Sequence, residues 1–178
     1  PIALQNAGFD LFLTANNHCL DRYTRGAIRT LHILDSIGAD HIGTYDSKDS
    51  FERFYPFITS IKGIRIAFLN YTYGTNGFTP HSPLIVNYID EEKIKKDIFR
   101  AKTLSADLIV ACLHWGDEYQ LLPNKRQEDL ADFLAKEGVQ LIIGAHPHVI
   151  QPMELRYDEQ GNPCALIVYS LATFISNL

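Results

Sequence analysis

The sequence predicts an α/β protein built around a largely parallel sheet, in which strands alternate with helices. Three short apolar segments end directly at histidines, and helical patterns of about ten to fifteen residues separate them. This alternation is typical of βα units, whose right-handed crossovers bring the carboxyl ends of parallel strands to one edge of a sheet. With 178 residues, 46% of them hydrophobic, the chain can bury one sizeable core, and we predict a single domain over residues 1–178.

The first half of the chain predicts one helix, two short strands and a hairpin. Ile28, Leu31 and Leu34 recur at helical spacing, and Gly38 is a natural end for that helix. The turn Lys62-Gly63 predicts a tight connection between two strands. The predicted elements are a strand at 9–15, a helix at 24–37, a short strand at 41–44, a loop at 46–50 and strands at 55–61 and 64–71.

The second half repeats the pattern of strand and helix. Asp90 is a predicted helix cap, and Asn124 with Gln127 has the spacing of a capping box, with Gly138 as the end of the second helix. The predicted elements are a loop at 74–83, a helix at 90–104, a strand at 107–113, a helix from 124, a strand at 139–144 and paired strands at 151–157 and 165–171.

Histidines follow three of these strands at their carboxyl ends. His146 and His148 come after a short, β-branched run that is typical of a buried parallel strand, and His18 and His114 follow two others. A single histidine in such a place is more often a structural residue, but four of them at the ligand-binding edge of an α/β sheet indicate a metal site. We predict two divalent ions, with Mn, Zn, Fe or Mg as the possible identities, because paired ions can clamp a phosphoryl group and activate water.

Bulk properties exclude several other classes of protein. The net charge of −5 and the lack of a visible basic stripe argue against a nucleic-acid partner. No apolar run reaches the length of a membrane span, and three scattered cysteines do not suggest a disulfide framework. A metal pair normally needs a bridging carboxylate, yet no Asp-x-His pattern follows the first strand. We therefore expect the missing acids upstream of Pro1.

Four motifs, in this order, resemble those of the bacterial capsule-synthesis family often called CapA or PgsA, which is implicated in poly-γ-glutamate production. The resemblance extends over residues 7–176, and the family is similar in turn to the calcineurin-like metallophosphoesterases. It implies a metallophosphoesterase-like α/β/β/α sandwich, with two sheets between helices. The motifs are Asn16-Asn17-His18-Cys19-Leu20-Asp21, Leu113-His114-Trp115-Gly116-Asp117-Glu118-Tyr119, Gly144-Ala145-His146-Pro147-His148-Val149-Ile150-Gln151-Pro152 and Tyr169-Ser170-Leu171.

The resemblance implies a role for each matching residue. Asn17 corresponds to the metal-binding asparagine of a Gly-Asn-His motif, and His18 to the histidine that contacts the phosphate and protonates the leaving group. His114 corresponds to a single histidine ligand, and His146 and His148 to the pair in a Gly-His-x-His motif. The acids nearest these residues in the sequence, and our candidates for orienting them through hydrogen bonds, are Asp21, Asp117 and Glu118.

The sequence departs from the family pattern in two places. The opening motifs that supply acidic ligands are absent from this chain, and Ser170-Leu171-Ala172-Thr173-Phe174 stands where the family has Ser-Leu-Gly-Asn-Phe. Beside the predicted ligands, Trp115 is interpreted as a wall of the site in preference to a platform for substrate. Tyr71 and Tyr73, with the loop at 74–83, are a hypothetical lid over its mouth.

The resemblance implies a metal-dependent, phosphoesterase-like hydrolase of capsule or poly-γ-glutamate biosynthesis. Its expected partners are a phosphate-ester or anionic-polymer substrate and a membrane-bound capsule synthesis machinery, and its expected place is the cell envelope or another extracytoplasmic compartment. Two alternatives stay open: a non-catalytic envelope protein that binds or guides an anionic polymer such as polyglutamate, and a hydrolase of amide bonds. Fold alone does not separate these functions.

Overall fold

Four parallel strands form the centre of the protein. The structure, a computed structural model, describes residues 1–173. The helices are α1 (Ile2–Asn6), α2 (Tyr23–Ser36), α3 (Lys48–Phe54), α4 (Glu91–Thr103) and α5 (Lys125–Lys136). The strands are β1 (Leu11–Leu13), β2 (Asp40–Ile42), β3 (Thr44–Tyr45), β4 (Phe57–Ile61), β5 (Ile64–Thr72), β6 (Ile85–Val86), β7 (Leu108–His114), β8 (Leu141–Ala145), β9 (Met153–Tyr157) and β10 (Pro163–Val168).

One six-stranded sheet carries most of these strands, in the order β4-β5-β7-β8-β10-β9. The four central strands run parallel, and β4 and β9 close the edges in antiparallel pairs. The register aligns Thr72 with His114 and His114 with Ala145, so that three parallel strands end at one edge. Two small sheets, the parallel pair β1-β2 and the antiparallel pair β3-β6, accompany it. The predicted α/β class is confirmed.

Helices α4 and α5 pack against one face of the large sheet. Strand side chains alternate between two faces, and one set from β5, β7, β8 and β10 joins the apolar sides of both helices in the main core. Asp90 caps α4, and Asn124 and Gln127 form the predicted capping box of α5. This core therefore holds the strands in register behind the edge where they end.

The other set of strand side chains faces the loop that follows β1. Asn70, Cys112 and Ile143 lie side by side in the register and line a cavity of about 350 Å³ together with residues of that loop. A second, smaller core joins α2 to β6 through Leu31 and Val86. The loop between β1 and α2 is thus held between two packed units.

Some predicted elements differ from those observed. Strand β1 covers only Leu11–Leu13 of the predicted 9–15 and pairs with β2, outside the large sheet. The predicted loop at 46–50 contains the start of α3, because Ser47 accepts a hydrogen bond from the Ser50 amide as a helix cap. Helix α1 and the short strand β6 were not predicted. Among residues 1–173, no helix is long and apolar enough to cross a membrane.

Candidate functional site

The ends of the central strands bring two predicted ligands together. His114 ends β7, and His146 follows β8, with their ring centroids 4.8 Å apart. Backbone hydrogen bonds continue past the strands, from the Tyr73 amide to the His114 carbonyl and from the Trp115 amide to the Ala145 carbonyl. The ring of Tyr73 stacks parallel to that of His114 at 6.3 Å and lies 4.8 Å from that of His146. The two imidazoles are therefore fixed by the sheet.

Asn17 reaches His114 from the loop after β1. Its side-chain oxygen lies 2.8 Å from His114 Nε2, although the residues are 97 positions apart in sequence. Burial, and then the proximity of the other imidazoles, lowers the pKa of His114 to about 3. The imidazole is consequently neutral at physiological pH, which is the state required of a metal ligand.

The position of Asn17 depends on Asn70, a buried residue of β5. The Asn70 side chain accepts a hydrogen bond from the Ala15 amide at 2.9 Å and donates one to the Cys112 carbonyl at 3.1 Å. Gly43 packs against the same amide with a φ of +110°, and a Cβ there would overlap both Asn70 and Ala15. One buried amide thus joins the loop to two strands of the sheet.

Substituting Asn70→Ala is expected to lower the free energy of unfolding by about 2 kcal/mol, because the Ala15 amide and the Cys112 carbonyl lose their partner inside the protein. Urea denaturation measures this change. Asn6→Ala, at an exposed residue of α1, is the control and should leave the midpoint unchanged. Equal midpoints for the two variants would contradict a role for Asn70 in holding the loop.

A second group of possible ligands lies beside the first. Ligand atoms of Glu118, His146 and His148 lie within 4.8 Å of one another. Glu118 was predicted only to orient ligands, but its carboxylate lies 3.9 Å from His148 Nε2, which makes it a possible direct ligand. On its other nitrogen, His148 contacts the Thr173 hydroxyl at 2.9 Å. Burial lowers the pKa of His146, while Glu118 opposes that shift.

The backbone of the His-x-His turn is strained. His146 has a φ of +107° and His148 a φ of +60°, and residues other than glycine rarely adopt positive φ values. Each such residue costs on the order of 1 to 3 kcal/mol, and strain of this kind is concentrated at functional sites. The turn aims both imidazoles at the edge where His114 ends.

His18 lies at the exposed side of the cluster. Its Nδ1 is 2.9 Å from the Asp21 carboxylate and 3.4 Å from the Asn76 side-chain nitrogen. Asn76 also accepts a hydrogen bond from Asn17, at 3.2 Å. Sequence reasoning missed Asn76, although the loop at 74–83 was singled out. The Asp21 carboxylate lies within hydrogen-bonding distance of His18, and a role in orienting it stays a prediction.

Other predicted residues have different surroundings. Asp117 accepts a hydrogen bond from Asn124 at the start of α5, and within the described residues it bonds to none of the histidines. Tyr71 was wrongly included in the lid, because it is fully buried and donates to Asp97 at 2.8 Å. Trp115 is buried and donates to the Tyr169 carbonyl at 2.9 Å, as a wall residue would.

Comparison with known sequences gives a consistent set of matches. Residues 2–178 match the family model of the bacterial capsule synthesis protein PGA_cap. The chain is 32% identical to the capsule biosynthesis protein CapA of Bacillus anthracis, over 97% of this chain and 41% of that protein. It is 30% identical to the PGA biosynthesis protein CapA of Bacillus subtilis, over 97% of this chain and 44% of that protein. The chain therefore spans about two fifths of the length of these relatives.

Solved structures share the fold. The NAD nucleotidase of Haemophilus influenzae superimposes with a TM-score of 0.63 and 16% identity, over 96% of this chain and 32% of that one. A 5'-nucleotidase precursor from Thermus thermophilus superimposes with a TM-score of 0.60 and 15% identity, over 95% of this chain and 34% of that one. At these identities the likeness shows the fold alone, and it confirms the predicted metallophosphoesterase-like architecture.

Proposed function

The chain belongs to the bacterial capsule synthesis protein PGA_cap family, and from this we propose that it carries a metal-dependent, phosphoesterase-like hydrolase site used in capsule biosynthesis. The observation that carries the proposal is the contact between the Asn17 side-chain oxygen and His114 Nε2, beside the group of Glu118, His146 and His148. The proposed substrate is a phosphate ester or an activated intermediate of an anionic polymer of the poly-γ-glutamate type.

The side chains at this edge fit divalent metal ions. Neutral imidazoles, an amide oxygen and a carboxylate are suitable ligands for Mn, Zn or Fe, and the oxygen ligands also suit Mg. Asn17 and His114 would hold one ion, and Glu118, His146 and His148 a second. A bound ion supplies Lewis acidity and lowers the pKa of a water molecule.

His18 would act as the proton donor, with Asp21 orienting its ring. The Asp21 carboxylate accepts a hydrogen bond from His18 Nδ1, which fixes the tautomer and leaves Nε2 to exchange a proton. His18 Nε2 would give its proton to the leaving oxygen. The Asn76 side chain lies between this histidine and Asn17, and its oxygen accepts a hydrogen bond from Asn17.

The test of this proposal is hydrolysis of an aryl phosphate by the metal-loaded full-length protein. His18→Ala is expected to lower kcat about 100-fold, because a positioned proton donor contributes at least that much, while the metal content stays unchanged. His81→Ala, at an exposed histidine of the loop before β6, is the matched control. Equal rates for His18→Ala and the wild type, or a full-length protein that binds no metal, would refute the proposal.

A non-catalytic role in binding or guiding an anionic polymer is the second candidate. The observation that favours it is the net charge of −5, because an acidic chain needs cations at the site to hold a polyanion, whether or not a bond is broken. This candidate predicts saturable polymer binding that survives His18→Ala, with no hydrolysis of any ester. Amide hydrolysis by the same site is tested by including a γ-linked peptide among the substrates.

We place the protein in the cell envelope, with a membrane-bound capsule synthesis machinery as its partner. The support is family membership, together with relatives whose names refer to capsule and PGA biosynthesis. Fractionation of cells, followed by detection of the full-length protein, tests this placement.

A further inference from the structure

A positively charged groove runs along α2 and ends at His18. Arg22, Arg25 and Arg29 line a cavity of about 440 Å³ together with His18 and Asp21. Positions three and four residues apart share one face of a helix, so the three arginines form one row about 10 Å long. From the sequence we expected no basic stripe, and this expectation is wrong for this face of α2. We call it the arginine groove.

The three guanidinium groups have no partner among the residues that the structure describes. Among residues 1–173, none of them makes a hydrogen bond or an ion pair, and all three residues are exposed. Helix α4 shows the contrast, since Lys93 pairs with Asp97 there and Lys95 with Glu137. The arginine groove therefore carries three unpaired guanidinium groups beside the single carboxylate of Asp21, on a chain whose net charge is −5.

This arrangement is unfavourable for the helix itself. Like charges three and four residues apart repel, and cations near the amino end of a helix oppose its dipole. The first turn of α2 contains no acidic residue to offset them. A row of unpaired arginines at this end thus weakens the isolated fold, and an anionic ligand would remove the penalty.

We propose that the arginine groove binds an extended polycarboxylate chain and leads one end of it to His18. Arginine matches carboxylates in bidentate geometry, and the row has room for several successive carboxylates of a polymer. The identity of the polymer rests on the proposed function, whereas the groove itself rests on Arg22, Arg25 and Arg29. His18 at the end of the groove connects polymer binding to the candidate metal site.

The test is binding of end-labelled poly-γ-glutamate to the full-length protein by fluorescence anisotropy. The variant Arg22→Gln/Arg25→Gln/Arg29→Gln is expected to bind at least about tenfold more weakly, with a flatter dependence on salt, because three charge-assisted contacts are lost. The matched control removes three cations elsewhere, each without an ion pair among residues 1–173: Lys62→Gln/Lys96→Gln/Lys136→Gln. It changes the net charge equally and should bind like the wild type.

Other outcomes would overturn the inference. Equal losses in the two triple variants would show that net charge, and not the groove, attracts the polymer. Polyphosphate or single-stranded DNA that bound more tightly than poly-γ-glutamate, through the same arginines, would overturn the polycarboxylate assignment. If the wild type did not bind the polymer, the proposed role of the groove would be overturned. The hydrolase site would still be tested independently by the aryl phosphate assay.

Discussion

Replacing His146 and His148 together by alanine is expected to weaken the binding of Mn²⁺ or Zn²⁺ to the full-length protein by more than about 100-fold. Both imidazoles belong to the group whose ligand atoms lie within 4.8 Å of one another, and Glu118 is its only other member among the described residues. Two of three ligands would be lost from one ion. Metal analysis after dialysis and titration of the metal-free protein measure the effect.

The matched control removes two imidazoles from other places. His32 contacts Asp46 on the side of α2, and His81 lies exposed before β6. The variant His32→Ala/His81→Ala should therefore bind metal like the wild type. If both double variants bound metal equally, the cluster at the ends of β7 and β8 would not be the metal site.

A single substitution, Glu118→Gln, separates the two roles considered for this acid. If Glu118 is a direct ligand, its replacement should weaken metal binding about as much as the loss of a histidine, because an amide is a poorer ligand than a carboxylate for these ions. A residue that only orients His148 would have a smaller effect. The 3.9 Å separation of Glu118 from His148 Nε2 is compatible with either arrangement before an ion binds.

The sequence was sufficient to predict the strands and helices that position the histidines. The apolar runs before His114 and His146 form short parallel strands, as their length, their β-branched residues and their alternation with helical segments predicted. The capping box of Asn124 and Gln127 was equally readable, because its spacing is local. The α/β class follows from such local patterns and from the right-handed crossover rule.

Contacts between distant segments were beyond the reach of sequence patterns. Strand β1 has three residues and pairs with β2, and nothing local distinguishes it from a strand of the large sheet. The contact of Asn76 with both Asn17 and His18 joins segments about sixty residues apart. The arginine groove was missed because its arginines are three and four positions apart in the sequence and become neighbours only on the surface of the helix.

Gly144→Ala is expected to lower the free energy of unfolding by at least about 3 kcal/mol. A Cβ at this position in β8 would overlap the backbone carbonyl of Tyr169 and the indole nitrogen of Trp115. Those two atoms form a buried hydrogen bond of 2.9 Å, which the added methyl group would break. The chain beyond β10 would have to move away from β8. Urea denaturation measures the loss.

The same substitution tests how the candidate site depends on close packing. Gly144 lies two residues before His146, and its carbonyl accepts a hydrogen bond from the Leu171 amide. A shift there would disturb the strained turn that aims His146 and His148, so metal affinity should fall together with stability. Gly74→Ala is the control, since a Cβ added at Gly74 would meet no other atom within 4 Å. A Gly144→Ala protein as stable as that control would contradict the close approach of β8 to Tyr169.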